Sequence, residues 1–291
     1  VIRNFIITFL GALWLAGCSA PDPLADHDWP EPGPALWEVE QPSTGNKAWL
    51  FGTVHALPDG VEWQSEAVEP AFAEARLLVV EIAGLGDSGR AAAEFNARAY
   101  SDALPPLLER VPAGDRAALA EALDDAGLEP ASFDRTESWA VALTLSSALR
   151  SGDPANGVDL ALMGRGKPLV GLESFASQYA IFDELPAAEQ ADLLLAVARE
   201  AREGDPVNGL EAWLTGDLAR LEQLGRAGML GDPELRKVLL DDRNHAWAAA
   251  IAQRLEAGEA PFVAVGAAHM LGESGLPALL ADAGYNVRRI Q

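Results

Sequence analysis

Two stretches near opposite ends of the chain share one grammar, and together they restrict the fold more than anything else in the sequence. "WLFGTVHALPDG" (49–60) runs Gly52-x-x-His55-x-Leu57-x-Asp59-Gly60, and "VAVGAAHMLGESG" (263–275) runs Gly266-x-x-His269-x-Leu271-x-Glu273-x-Gly275. Each opens as a short continuous apolar run, the pattern of a strand buried on both faces. Each run then breaks at a glycine, which lacks a Cβ and so permits a tight turn and close backbone approach. A histidine therefore follows the carboxyl end of each strand, where ligand crevices form in open α/β sheets. If the two strands are neighbours, two of the four histidines meet in one crevice.

The remaining elements fit a sheet assembled from distant segments. "LWEVE" (36–40) and "KAWLFGT" (47–53) read as strands joined by the turn-rich "QPSTGN". "LLVVEIAG" (77–84), "GKPLVGLES" (166–174) and "PFVAVGA" (261–267) read as buried strands, and "YNVRRI" as a final one. "VEWQSEAVEPAFAEAR" (61–76) predicts a helix broken near Pro70. Helical patterns fill 88–100, 114–126 and 138–150, and most of 175–257, with breaks at Pro186, "EGDPVNG" and "GMLGDP". A closing helix spans "SGLPALLADAG". The expected fold is α+β: a mixed central sheet covered by helices, with a helical middle block.

Charge and cysteine usage exclude several functions. With 44 Asp+Glu against 21 Lys+Arg and no basic cluster, the chain is not built to bind a phosphate backbone, so nucleic acid is not an expected partner. A single cysteine, Cys18, rules out an intramolecular disulfide, a cysteine-based zinc site and a cysteine nucleophile in the body. "FIITFLGALWLA" after Arg3 has the length of a secretory signal and is short for a membrane-spanning helix. "LWLAGC" resembles a bacterial lipobox. On that reading 1–17 is a lipoprotein signal peptide and Cys18 is acylated, each buried lipid CH₂ contributing about 0.8 kcal/mol of anchoring. Residues 18–35, rich in Pro and Asp, then form a tether to a domain spanning 36–291, and His27 within it is inert. Ser19 points to the outer membrane by resemblance to bacterial sorting rules.

Chemistry is expected where carboxylates interrupt apolar strands. Glu81 near the end of "LLVVEIAG" is the leading case, because an unpaired buried carboxylate costs several kcal/mol, on the order of the penalty for any buried ion. Glu173, ending "GKPLVGLES", is the second. Two imidazoles and a carboxylate could hold a divalent metal with a position open for water, or move a proton near the ordinary imidazole pKa of about 6.5. A structural alternative stands beside this: the histidines bond backbone carbonyls, and Glu81 pairs with an arginine such as Arg243. No HExxH, GxSxG, P-loop or GxGxxG sequence is present.

The paired G-x-x-H turns, the glutamate after the first, "GVDLALMGRGKPLVGLES…Q", "DDRNHAW" and "FVAVGAAHMLGESGL" together resemble the TraB/GumN (Tiki-like) family over about residues 36–291. The resemblance implies an α+β fold of two related halves and, in the Tiki branch, a membrane-tethered peptidase dependent on Mn²⁺ or Co²⁺. It matches His55 and His269 to the motif histidines, Glu81 to the glutamate acting beside them, Asp159 and Glu173 to acidic positions of the central motif, and Arg243 and Asn244 to a late "RN" pair. His245 has no family role and reads as a helix-surface residue. Related folds include erythromycin-esterase-like and haem-iron-binding ChaN-like proteins.

The leading expectation is a lipid-anchored cell-envelope hydrolase, a metal-dependent peptidase. In it His55 and His269 hold the ion, Glu81 is a third ligand or the general base, and Arg243 or Asn244 stabilises an oxyanion or binds a peptide carboxylate. The alternatives are a metal-independent His/Glu hydrolase of esters, and a non-enzymatic lipoprotein capturing haem, a metal or a peptide. The substrate expected is a peptide or small molecule.

Overall fold

A computed structural model describes Leu24 and residues 27–291. The proposed signal peptide and Cys18 lie outside the described residues. Among the described residues no helix is long and apolar enough to cross a membrane.

Six strands form one mixed sheet: β1 (Leu36–Glu40), β2 (Lys47–Thr53), β3 (Leu77–Ile82), β4 (Leu169–Glu173), β5 (Pro261–Gly266) and β6 (Asn286–Arg289), in the order β4-β3-β5-β2-β1-β6. β2, β5, β3 and β4 run parallel to one another, while β1 is antiparallel to both β2 and β6. The three inner parallel strands are the near-continuous apolar runs of the sequence, because both of their faces are covered. Period-two alternation divides their side chains. Leu78, Val80, Phe262 and Ala264 face one core and Val79, Val263 and Val265 the other. The edge strand β6 is mostly exposed, and Arg288 on it pairs with Glu38 of β1.

The helices are α1 (Val68–Glu74), α2 (Ser88–Asn96), α3 (Arg116–Asp125), α4 (Ser138–Leu149), α5 (Val158–Met163), α6 (Phe175–Asp183), α7 (Ala187–Glu203), α8 (Pro206–Leu214), α9 (Leu218–Ala227), α10 (Pro233–Arg236), α11 (Asp242–Glu256) and α12 (Leu276–Asp282). Val68 and Phe72 of α1, Leu162 of α5 and Trp213 of α8 cover one sheet face; Trp247, Ile251 and Leu255 of α11 and Leu280 of α12 cover the other. A third core lies within the helical block, where Trp139 of α4 and Tyr179 of α6 meet Phe95 of α2 edge-on at 5.4 and 5.6 Å. The α+β class and the helical middle block are as expected.

Three local expectations change. The helix expected over 61–76 is only Val68–Glu74, so Pro70 falls in its first turn, where an amide hydrogen has no helical partner to lose. The strand expected as buried at 166–174 is β4 at the sheet edge, with every residue half-buried. The expected tether does not extend through 27–35. Gly33 donates to the Leu214 carbonyl at 2.6 Å, His27 Nε2 lies 3.1 Å from Glu211 Oε1, and Trp29 packs against the sheet-side core.

Candidate functional site

Because β2, β5, β3 and β4 all run the same way, their carboxyl ends share one edge of the sheet. Thr53, Gly266, Ile82 and Glu173 end these strands, so the two G-x-x-H turns, Glu81 and Glu173 arrive together. β2 and β5 are direct neighbours, with Gly52 opposite Val265 and Thr53 opposite Gly266. Gly52 is required here: a Cβ on it would lie 2.9 Å from the Ala267 Cα.

The first turn is completed from a distance by α5. The chain before α5 is fastened to the His55 loop by a two-way backbone pair between Leu57 and Asp153, and Val158 donates to the Val54 carbonyl at 3.0 Å. This delivers Asp159, in the first turn of α5, to the imidazole. His55 Nδ1 lies 2.7 Å from Asp159 Oδ2, and Thr53 Oγ1 donates to Asp159 Oδ1 at 2.7 Å. The carboxylate fixes the ring and turns Nε2 toward Gly266, 3.8 Å from where a Cβ there would stand. Burial alone would depress the basicity of His55, but Asp159 and then Glu81 outweigh it and hold its pKa at about 9.

The second turn uses an amide instead. His269, on a 3₁₀ turn after β5, has Nδ1 2.5 Å from Asn244 Oδ1, and Asn244 Nδ2 donates to the Ser274 carbonyl at 2.8 Å. Trp247, one helical turn beyond Arg243 on α11, packs 4.3 Å from the His269 ring. His269 Nε2 is 3.9 Å from Glu81 Oε1. Burial, then the nearby Arg243 and His55 charges, push the His269 pKa well below the ordinary value.

Glu81 joins the two halves. Its Oε1 accepts from the Gly266 backbone N–H at 2.8 Å, and its Oε2 accepts from Arg243 Nη2 at 3.0 Å. Arg243 also grips Glu173 through Nε (2.8 Å) and Nη2 (3.0 Å), while Nη1 donates to the Leu239 carbonyl at 2.9 Å. Leu239 belongs to a π-helical turn, Lys237–Asp241, that separates α10 from α11. Such turns commonly mark functional sites, and they leave carbonyls outside the ordinary i→i−4 ladder. Burial raises the Glu173 pKa against the pull of Arg243. Removing Arg243 would leave two carboxylates buried without their cation, a loss on the order of 3–5 kcal/mol.

Every site residue expected from the sequence thus lies in one connected network, apart from Cys18. Arg243 and Asn244 hold Glu81, Glu173 and His269 in place, and neither lines the narrow cleft formed by His55, Val80, Glu81, Ile82, Leu85, Asp159 and Gln178. Their position is that of supports, where oxyanion contacts had been expected. His245 is exposed, with Nδ1 2.8 Å from the Asp241 carbonyl. Thr53, Gln178 and Ser274 were not singled out from the sequence. Thr53 lies inside the first turn motif and Gln178 at the end of "GLES…Q", so the signal for both was position within a motif.

The donor chemistry fits a divalent ion. Metal-ligating histidines are typically fixed through their other nitrogen by a carboxylate or carbonyl oxygen, and both rings are fixed that way here. Gly266 leaves the space between them open, since a Cβ on it would stand 3.1 Å from Glu81 Oε1 and 3.8 Å from both His55 Nε2 and His269 Cδ2. The nitrogen and oxygen donors do not yet enclose an ion. Among the described residues, the group whose ligand atoms all lie within 4.8 Å of one another is Glu189, Asp192 and Asp232, elsewhere in the fold. A cavity of about 900 Å³ is bounded by α7, α8 and α9 and backs onto Ala267, Ala268 and Leu271; no histidine lines it.

No curated protein and no solved structure matches the chain. The model of the TraB/PrgY/gumN family matches residues 35–289, a span that takes in both G-x-x-H turns, all six strands and the whole network around Glu81. The chain belongs to the TraB/PrgY/gumN family.

Proposed function

We propose that this protein is a hydrolase of the bacterial cell envelope that cleaves a peptide or similar acyl bond with the help of a divalent ion. The observation that carries the reading is the matched fixing of two imidazoles at Nδ1, by Asp159 and by Asn244, on either side of Glu81. His55 and His269 would hold the ion through Nε2, with Glu81 Oε1 beside them. When bound, the ion supplies Lewis acidity and a more acidic water. The chain's own groups do the rest. Arg243 and the Gly266 N–H fix the Glu81 carboxylate, Glu81 accepts the proton of the attacking water, and Glu173 balances Arg243. Elemental analysis of the purified soluble domain tests this: about one Mn²⁺ or Co²⁺ per chain, with peptide hydrolysis lost in chelator and restored by the ion, is the expected result.

A metal-free reading has its own support, because His55, His269 and Glu81 do not all come within 4.8 Å of one another. In it the Asp159–His55 pair handles the proton beside Glu81 and the bond cleaved is an ester. It expects chelator-resistant turnover with a pH profile that disappears in His55→Ala. Ligand capture with no turnover of peptide or ester libraries would instead mark a binding lipoprotein.

Acylation of Cys18 would place the domain on the periplasmic face of the outer membrane. Membrane fractionation of the wild type and of Cys18→Ser checks that placement, with the variant expected in the soluble fraction.

A further inference from the structure

One polar atom in the cleft is unaccounted for by the site as described. Gln178, on α6, is 2% exposed. Its Nε2 donates toward Glu81 Oε2 at 3.5 Å, which sets the orientation of the amide, since a carboxylate requires a donor. The other atom, Oε1, is buried and finds no hydrogen-bond partner among the described residues. A buried carbonyl left unpaired loses the hydrogen bond it would make in water, so a partner is expected.

The cavity that Gln178 lines with His55, Glu81 and Asp159 has about 10 Å³ for the centre of a water molecule, roughly the space that one water needs. The other walls, Val80, Ile82 and Leu85, are apolar and offer a competing side chain no hydrogen bond. A water here has an acceptor in Gln178 Oε1, a second in the Glu81 carboxylate, and His55 at the third side.

We propose that Gln178 is a positioning residue that holds a single buried water against Glu81, and that this water is the nucleophile. The second clause rests on the hydrolytic reading given above. In the step, the water oxygen bonds to the scissile carbonyl carbon while its proton passes to Glu81. The C–N bond then breaks and that proton leaves on the amine, so that water and amide become acid and amine with no other reactant. Gln178 Oε1 orients the lone pair of the water by accepting its second O–H.

Crystal structures of the wild-type protein and of Gln178→Met, each paired with steady-state kinetics on a peptide substrate, test the proposal. The wild type should show a water without anomalous signal, about 2.6–3.2 Å from Gln178 Oε1, at hydrogen-bond distance. In Gln178→Met that water should be missing, kcat should fall about a hundredfold, the scale of a misplaced reacting group, and KM should stay within about threefold. Gln178→Asn, which keeps the amide but shortens its reach, should recover part of kcat if the variant cavity regains a water. A dry wild-type cavity, or an ion with anomalous signal in it, overturns the proposal. So does a Gln178→Met enzyme with unchanged kcat, or one whose loss is all in KM. A wild type that hydrolyses nothing sinks the hydrolytic reading and the nucleophile with it.

Discussion

The two G-x-x-H turns have the same backbone grammar and opposite electrostatics. After β2, a carboxylate backs the imidazole and holds His55 at about 9; after β5, an amide backs it and burial keeps His269 neutral. The contrast follows from the neighbours each turn recruits. His55 faces Asp159 and Glu81, whereas His269 faces Arg243 and the charge on His55 itself. Two imidazoles this near each other do not both take a proton readily, because like charges disfavour the second. Without a bound ion the pair therefore favours a single positive charge on the β2 side, against a Glu81 whose own cation comes from α11, and an ion held by His55 would displace that proton. A sequence repeat has been converted into a polarised site by the residues that each turn recruits from outside the repeat.

The largest expected effect tests whether both turns act. His55→Ala and His269→Ala should each lower kcat/KM by at least about a thousandfold, within the range of lost proton-transfer or ligand groups, with the fold retained by circular dichroism. Activity of either variant within tenfold of wild type would make that turn structural and end the comparison.

The next effect tests the cause of the asymmetry. Asp159→Asn gives the β2 turn the same kind of support as the β5 turn and should reduce activity by about 10–100-fold, as loss of such supporting groups does. NMR titration of chelator-treated protein should show the His55 ring moving down from about 9 toward the imidazole range near 6.5. A His55 ring that still titrates near 9 in the variant would assign the effect to Glu81 instead.

How much of this was legible depended on the physics of each part. The inner strands were readable because strands covered on both faces are continuous apolar runs, and Glu81 stood out as the carboxylate inside one. Their order was not readable, since nothing in "PFVAVGA" says that it lies between β2 and β3. Asp159 lies after a loop rich in Gly, Asp and Pro, and only family resemblance pointed to it; its partnership with His55 depends on backbone pairing across 104 residues. The Arg243–Glu81 pair had been the structural alternative to a functional site. It is present, and it lies within the same network as both histidines, so the two readings describe one arrangement. The edge position of β4 was missed because "LVGLE" has the apolar content of an inner strand and too few residues to show alternation.

The smallest effect separates the two glycines that begin the turns. Gly52 faces backbone: a Cβ there meets the Ala267 Cα at 2.9 Å and its Cβ at 3.2 Å, so Gly52→Ala must push β2 and the second turn apart. The cost should fall at the low end of the roughly 1–3 kcal/mol of overpacked sites, read as a lower midpoint in denaturant. Gly266 faces side chains instead: Glu81 Oε1 at 3.1 Å, with His55 Nε2 and His269 Cδ2 at 3.8 Å. A carboxylate can shift by a few tenths of an ångström more cheaply than a backbone can, so Gly266→Ala should cost less stability than Gly52→Ala. It should still lower activity several-fold, because the methyl group stands where the two imidazoles and Glu81 face one another. The same two variants with the effects exchanged, Gly266→Ala unstable and Gly52→Ala merely slow, would mean that the space between the histidines is part of the packed core and that the reacting groups meet elsewhere.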